Sequence, residues 1–133
     1  MKVSHRMRVG VLLTTVLTVV GAASASGQDV VKVSPETHRV LLENDRVRVL
    51  DVQLKPGEQV AMHSHPAGIL YYLSDATLKI TYRDGKSETR NVKAGTAVWS
   101  KAVTHAAENV GPTTLNEVQT ELKAAVKRPA RAK

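Results

Sequence analysis

From Val30 onward, short apolar stretches alternate with turn residues, which is the pattern of an antiparallel β structure. The apolar stretches include "HRVLLEN", "RVRVLDVQL", "ILYYLS" and "LNEVQTEL". Asp84-Gly85 lies between two alternating segments and indicates a hairpin, and "KPGE" at 55–58 indicates another turn. About eight to ten short strands, with a turn roughly every 8–12 residues, predict an all-β sandwich or barrel.

The two ends of the chain differ from this pattern. Residues 1–27 combine the basic start "MKVSHRMR", the apolar run "VGVLLTTVLTVVGAA" and the small-residue sequence "ASA", which is the layout of a signal peptide. We expect export to the periplasm or medium, cleavage near Ser26 or Gln28, and no stable membrane span afterwards. An uncleaved N-terminal anchor is the alternative. Residues 123–133 form a basic tail containing Pro129, predicted to be disordered.

The net charge of +7 suggests a nucleic-acid partner until its distribution is considered. Residues 26–122 carry 11 basic and 12 acidic side chains, so the excess positive charge belongs to the two ends. Aromatic residues make up only 3% of the chain, which leaves little surface for stacking on bases. We therefore predict no nucleic-acid partner. The absence of cysteine excludes disulfides, thiolate metal ligands and cysteine nucleophiles.

Histidines are the most informative polar residues. His63 and His65 share one face of a predicted strand, about 7 Å apart at Cα, and both imidazoles can reach one metal ion at about 2.0–2.1 Å. His105, on a later strand, is the candidate third ligand. A pair that only forms hydrogen bonds in a barrel mouth is the alternative. His38 is predicted to be a surface residue.

Three further residues are candidates for lining a cavity beside these histidines. Gln59 shares the strand phase of His63, Tyr71 lies on the strand that follows the histidine pair, and Trp99 lies just ahead of His105. Ordinary packing is the alternative for both aromatic residues.

Two segments resemble the motifs of the cupin superfamily. Segment 57–76, "GEQVAMHSHPAGILYYLSDA", is similar to the first motif, G(X)5HXH(X)3,4E(X)6G. Segment 95–109, "GTAVWSKAVTHAAEN", is similar to the second, G(X)5PXG(X)2H(X)3N, although it is one residue shorter after its glycine. The resemblance covers about residues 40–120, and the matching positions are Gly57, His63, His65, Gly95, His105 and Asn109.

The chain also departs from both motifs. The glutamate of the first motif, normally a metal ligand, falls at Ile69 or Leu70. Ala76 replaces that motif's last glycine, and Ser100 and Ala102 replace the proline and glycine of the second. The resemblance therefore implies a cupin with three histidines and no carboxylate ligand.

The resemblance implies an antiparallel double-sheet jelly roll, or cupin barrel, of six to eight strands over residues 28–122. It also implies one divalent metal ion, Fe, Zn, Ni or Cu, on His63, His65 and His105, without an anionic protein ligand. Such a site favours an anionic small-molecule substrate and chemistry of the oxygenase or isomerase type. Whether the protein is an enzyme stays open, and a non-catalytic module that binds or senses a small ligand is the first alternative.

The second alternative is a degenerate cupin that acts through its dimer surface. Cupins commonly pair, so the resemblance implies a homodimer, with strand exchange by segment 30–42 as one way to form it.

Overall fold

The structure is a computed structural model that describes residues 27–124. The predicted signal peptide and basic tail lie almost entirely outside the described residues. Within this range, no helix is long and apolar enough to cross a membrane. One helical turn, α1 (Val30–Val33), precedes nine strands: β1 (His38–Glu43), β2 (Val47–Leu54), β3 (Gln59–His65), β4 (Gly68–Tyr72), β5 (Ala76–Tyr82), β6 (Ser87–Val92), β7 (Ala97–Ser100), β8 (Val103–Asn109) and β9 (Leu115–Leu122).

The strands form two antiparallel sheets, which confirms the predicted all-β double-sheet fold. One sheet has the order β1-β2-β9-β4-β7 and the other the order β3-β8-β5-β6. The described residues contain more than the six to eight strands expected of the barrel. The short segment "AVWS" forms its own strand, β7, beside β4, whereas β8 joins the other sheet between β3 and β5.

The first apolar residues of the body form a helical turn, so the strand predicted from Val30 onward is wrong at this point. The Asp29 side chain accepts a hydrogen bond from the Val31 amide at 2.9 Å and caps the turn. Val30 is fully buried in the core, and the Ser64 amide donates to the Gln28 carbonyl at 2.9 Å. These contacts hold the segment before β1 against β3.

The inward faces of the two sheets supply the hydrophobic core. Its buried members are Val30, Leu50, Val52, Leu54, Val60, Tyr72, Ala76, Leu78, Ile80, Val92 and Leu115. The first glycine of each motif lies in a turn at positive φ, 81° at Gly57 and 78° at Gly95. A residue with a Cβ is strained in that conformation, which explains glycine at both positions.

Strands β3 and β8 bring the motif histidines together, because His63 lies directly opposite His105 in their register. The register shifts between Val60 and His63, where β3 has one residue more than β8. Val60 and His63 are therefore both buried although they are three positions apart, with 2% and 1% exposure. This bulge decides which neighbours of the histidines face inward.

Candidate metal centre

Three histidines converge between the sheets. One ring nitrogen from each of His63, His65 and His105 lies within 4.8 Å of the other two. The ring centroids are 4.6 Å apart for His63 and His65, and 4.7 Å apart for His63 and His105. His63 and His65 are buried, and His105 is partly buried. The structure thus brings the three predicted ligands into one group that could hold a metal ion.

Hydrogen bonds orient two of the three rings. The Nδ1 atom of His63 lies 2.7 Å from the Ala61 carbonyl oxygen, an acceptor only, so Nδ1–H must donate. The Nδ1 atom of His65 lies 2.7 Å from Oε1 of Glu121. Donation from Nδ1 leaves the Nε2 atom of each neutral ring with a free lone pair, as is usual for metal-binding histidines.

These two lone pairs face each other. His63 Nε2 lies 2.8 Å from His65 Nε2, so two acceptor nitrogens meet with no proton between them when both rings are neutral. Nε2 of His105 is sealed from solvent and has no hydrogen-bond partner among the described residues. Since buried polar atoms are normally paired, a cation shared by the three nitrogens resolves both irregularities, and the residues fit a metal ion.

Protonation of His63 and His105 is suppressed. Burial lowers the pKa of His63 to about 4, although the hydrogen bond to Ala61 acts in the opposite direction. Burial, together with the nearby His63 and His65 rings, lowers the pKa of His105 to about 3. Both imidazoles are therefore neutral near pH 7, which is the form that binds metals.

A carboxylate stands behind the cluster on β9, a strand that carries none of the predicted ligands. Glu121 on β9 is 2% exposed and is held by Arg48, whose Nε donates to Oε2 at 2.6 Å. Arg48 also forms a 2.7 Å ion pair with Asp29. Burial raises the pKa of Glu121, but hydrogen bonds from His65 and Arg48 outweigh it and lower the pKa overall. Glu121 is thus an anion that polarises His65.

The alternation of inward and outward residues along β9 is the sequence signal that could have identified this carboxylate. Leu115, Glu117, Gln119 and Glu121 alternate with Asn116, Val118 and Thr120, and the first set is buried. Leu115 marks the inward phase, so the three polar residues in "LNEVQTEL" that share it face the interior. An inward row of polar side chains between two sheets indicates a site.

Gln119 contacts the same imidazole nitrogen as Glu121. Its terminal amide lies 2.8 Å from His65 Nδ1 through the atom placed as Nε2. Nδ1 donates its one proton to Glu121 and cannot accept from an NH2 group, so the amide oxygen suits this contact better, and a 180° rotation of the amide places it there. The NH2 group of Gln119 then points away from His65 and can donate a hydrogen bond into the cavity.

His38 is not a surface residue as predicted, because it is 4% exposed. It lies opposite Val52 in the β1–β2 register and shares its inward phase. Its ring centroid is 6.0 Å from that of His63 and 6.1 Å from that of His65, and it lies outside the three-histidine group. Thr37 Oγ1 lies 2.8 Å from its Nδ1. Burial, then the neighbouring His65 and His63, lowers its pKa to about 4.

A cavity of about 410 Å³ opens beside the histidines. Its polar lining includes His38, His63, His65, His105, Glu117 and Gln119, and its apolar lining includes Val52, Leu54, Val60, Leu70, Leu78, Ile80 and Leu115. A volume of this size suits a small organic ligand.

The three predicted lining residues occupy different places. Trp99 contributes to the cavity but is 59% exposed, so it lies at the rim. Gln59 lies outside the cavity and borders a separate depression together with Glu108. This position departs from the prediction, because the β3 bulge reverses the phase of Gln59 relative to His63. Tyr71 also departs from it, since it is 42% exposed and does not line the cavity. Its neighbour Tyr72 lines the cavity instead.

The structure also shows what replaces the motif glutamate. Of the two aligned positions, Ile69 is 45% exposed, whereas Leu70 lines the cavity. An apolar side chain therefore occupies the inward position, and Glu121 approaches from β9 behind His65.

Asn109 is fully buried, and its amide donates to the carbonyls of Leu54 and Thr113, both at 2.8 Å. It is a structural hydrogen-bonding residue.

No protein-family model matches the chain, and no curated protein does. Solved structures do match. A cupin-domain protein from Bordetella pertussis Tohama I is 25% identical, with a TM-score of 0.60 over 65% of this chain and 92% of that one. An RmlC-like cupin with a double-stranded β-helix fold from Methanocaldococcus jannaschii is 19% identical, with a TM-score of 0.53 over 65% and 78% of the two chains.

A cupin superfamily protein from Desulfitobacterium hafniense DCB-2 is 17% identical, with a TM-score of 0.50 over 65% of this chain and 76% of that one. These similarities and the two-sheet topology define a double-stranded β-helix protein with a three-histidine cluster in its interior. The chain belongs to the cupin superfamily.

Proposed function

We propose that this protein binds one divalent metal ion through His63, His65 and His105 and holds a small organic ligand beside it. The observation that carries the proposal is the 2.8 Å approach of two Nε2 atoms whose rings each donate through Nδ1. A shared cation makes this arrangement favourable. Three imidazoles suit Fe, Zn, Ni or Cu better than a hard cation such as Mn²⁺.

The surrounding charges favour an anionic ligand. Arg48 carries one positive charge, and Asp29 and Glu121 carry one negative charge each. A divalent ion on neutral imidazoles leaves this buried group with one net positive charge. A monoanion neutralises it, and the apolar walls exclude water from the rest of the ligand. The metal would act as a Lewis acid or a redox centre.

The chain's own residues orient and protect this site. Glu121 and the Ala61 carbonyl hold His65 and His63 in the tautomers that present Nε2. Trp99 at the rim and the aliphatic walls limit access of water. These features support small-molecule chemistry of the oxygenase or isomerase type. The apolar Leu70 at the motif's carboxylate position supports the second candidate, a binding or sensing module without turnover.

Metal analysis of tag-free protein tests the metal site. We expect about one ion per chain in the wild type and a large loss in His63→Ala and His105→Ala. His38→Gln is the matched control, because His38 is buried nearby but lies outside the group. Wild-type content far below one ion per chain, or content unchanged by the two alanine variants, would contradict the proposal.

Turnover is tested separately on the metal-loaded protein. Oxygen uptake with small thiols, diketones and catechols supports an oxygenase. A ligand-dependent rise in Tm without uptake or product favours the binding module.

We also propose export and a homodimer. The signal-like residues 1–25 support export to the periplasm or medium, and mass spectrometry of the exported protein should show a mature N-terminus near Ser26 or Gln28. Retention of residues 1–25 would contradict cleavage.

Exposed apolar side chains, among them Leu41, Leu42, Ile69 and Tyr71, support self-association. Sedimentation velocity should give twice the chain mass, and a monomer at micromolar concentration would contradict the dimer.

A further inference from the structure

Glu117 is a buried carboxyl that none of the interactions above uses. It lies on the inward face of β9, opposite Val52 on β2 and Tyr72 on β4, and is 5% exposed. Its side chain lines the cavity, yet within residues 27–124 it forms no hydrogen bond and no ion pair. Glu121, four residues further on the same face, has both His65 and Arg48 as partners. Since burying an unpaired carboxyl is unfavourable, Glu117 calls for a functional explanation.

Glu117 is placed to contact a ligand rather than the metal. It lies two residues from Gln119, about 7 Å along the strand at a rise of about 3.3 Å per residue. Gln119 contacts His65, so the cavity continues from the histidines past Gln119 to Glu117. A ligand that extends along β9 from the histidine cluster meets this carboxyl next.

The nearby charges determine what Glu117 can bind. The cavity's Arg90 donates to Glu88 Oε1 and to the Tyr82 hydroxyl, both at 2.7 Å, so its guanidinium is already engaged. Burial raises the pKa of Glu117 to about 8, and the carboxyl is therefore protonated at neutral pH. A protonated carboxyl has an O–H donor and a carbonyl acceptor, and its donor needs an oxygen atom as partner.

We propose that Glu117 is a ligand-binding residue that donates a hydrogen bond to an oxygen atom of the bound small molecule. The ligand accordingly carries two oxygen groups joined by a short apolar chain. An anionic group lies at the histidine end, which rests on the proposed metal site, and a carbonyl group lies at Glu117.

A matched pair of probes tests this assignment, because 5-oxohexanoate and hexanoate differ by one carbonyl oxygen. Isothermal titration calorimetry on the metal-loaded protein at pH 6.5 should show that the oxo compound binds about tenfold more tightly, the effect of one well-placed hydrogen bond. Glu117→Leu should abolish the preference, and Glu117→Gln, whose amide can still donate, should retain most of it. Glu108→Leu is the matched control, because Glu108 borders the separate depression, and it should keep the full preference.

Three results would overturn the assignment: equal binding of the two probes to the wild type, no binding of either, or a preference that survives in Glu117→Leu. Tighter binding of 6-aminohexanoate than of hexanoate, lost in Glu117→Leu, would also overturn it, because Glu117 would then act as a counter-ion. Near-UV circular dichroism establishes that each variant is folded.

Metal content and probe binding separate the two proposals. If the protein holds one ion per chain and shows no oxo preference, only the role of Glu117 fails. If it holds no ion but metal-free protein still prefers 5-oxohexanoate, and Glu117→Leu abolishes this preference, the role of Glu117 stands and the metal site fails.

Discussion

His65 and Glu121 lie 56 positions apart in the chain and are joined by a 2.7 Å contact between Nδ1 and Oε1. Glu121 is in turn held by Arg48, so its carboxylate cannot rotate freely away from the imidazole. The contact fixes the proton on Nδ1 and directs the Nε2 lone pair towards His63. Glu121, a carboxylate outside the first motif, thus acts on the cluster through a histidine, whereas the motif's glutamate normally binds the metal directly.

Glu121→Gln should weaken metal binding while leaving the three imidazoles in place. An amide is uncharged, so it polarises His65 less and allows the other tautomer. Loss of a carboxylate partner to a metal-binding histidine typically lowers metal affinity about 10–100-fold. Competition with a chromogenic chelator measures the change, and Glu108→Gln serves as the control. Unchanged affinity in Glu121→Gln would show that the contact does not tune the site.

Arg48→Met should destabilise the protein much more than Arg39→Met does. Arg48 is 14% exposed and pairs with the buried Glu121, and removing one partner of a buried pair typically costs about 3–5 kcal/mol. Arg39 is 74% exposed and pairs with Asp51, an interaction worth about 0–1 kcal/mol. Urea unfolding of the metal-free variants measures both values. Equal losses in the two variants would contradict the buried network.

The contribution of Glu117 to the stability of the metal-free protein should fall with increasing pH between about 6.5 and 8. Burial raises its folded pKa to about 8 from 4.5, so the folded state holds a proton in this window that the unfolded state has released. Its contribution is complete below pH 4.5 and is lost as the pH rises through the folded pKa, at about 1.4 kcal/mol per pH unit.

Glu117→Gln should remove this contribution to the slope. The depressed pKa values of His38, His63 and His105 add a slope of opposite sign near pH 6.5, because their unfolded forms are still partly protonated there. Both proteins share that slope, so the difference between them belongs to Glu117. Urea unfolding at several pH values, with a chelator present, measures the slope. An identical slope in wild type and Glu117→Gln would rule out an ionisable Glu117 as its source.

The sequence predicted the three-histidine cluster well, because His63, His65 and His105 are marked by spacing and by residue type. It predicted cavity lining less well, because one extra residue in β3 reverses the phase of Gln59, and no local pattern marks that bulge. His38 was misassigned since only its pairing with β2 shows that it faces inward. Glu121 is hidden in the sequence for a different reason. The alternation along β9 shows which residues face inward only once Leu115 is recognised as a core residue on the same side as Glu121.

Asn109→Ala should destabilise the fold without removing the metal, although Asn109 belongs to the second motif. Its amide donates to the carbonyls of Leu54 and Thr113, and its oxygen accepts from the Gly111 amide at 3.1 Å. Truncation removes the side-chain donor of the Leu54 and Thr113 carbonyls, at about 1–3 kcal/mol for each carbonyl left unsatisfied. The Gly111 amide keeps a hydrogen bond to the Thr77 carbonyl at 3.2 Å. Asn109→Asp keeps the acceptor but loses both donated bonds, so we expect an intermediate or larger loss. Urea unfolding measures stability, and metal analysis at low temperature measures occupancy. If Asn109→Ala lost its metal while the free energy of unfolding stayed unchanged, Asn109 would belong to the metal centre, which its buried hydrogen bonds to three backbone groups argue against.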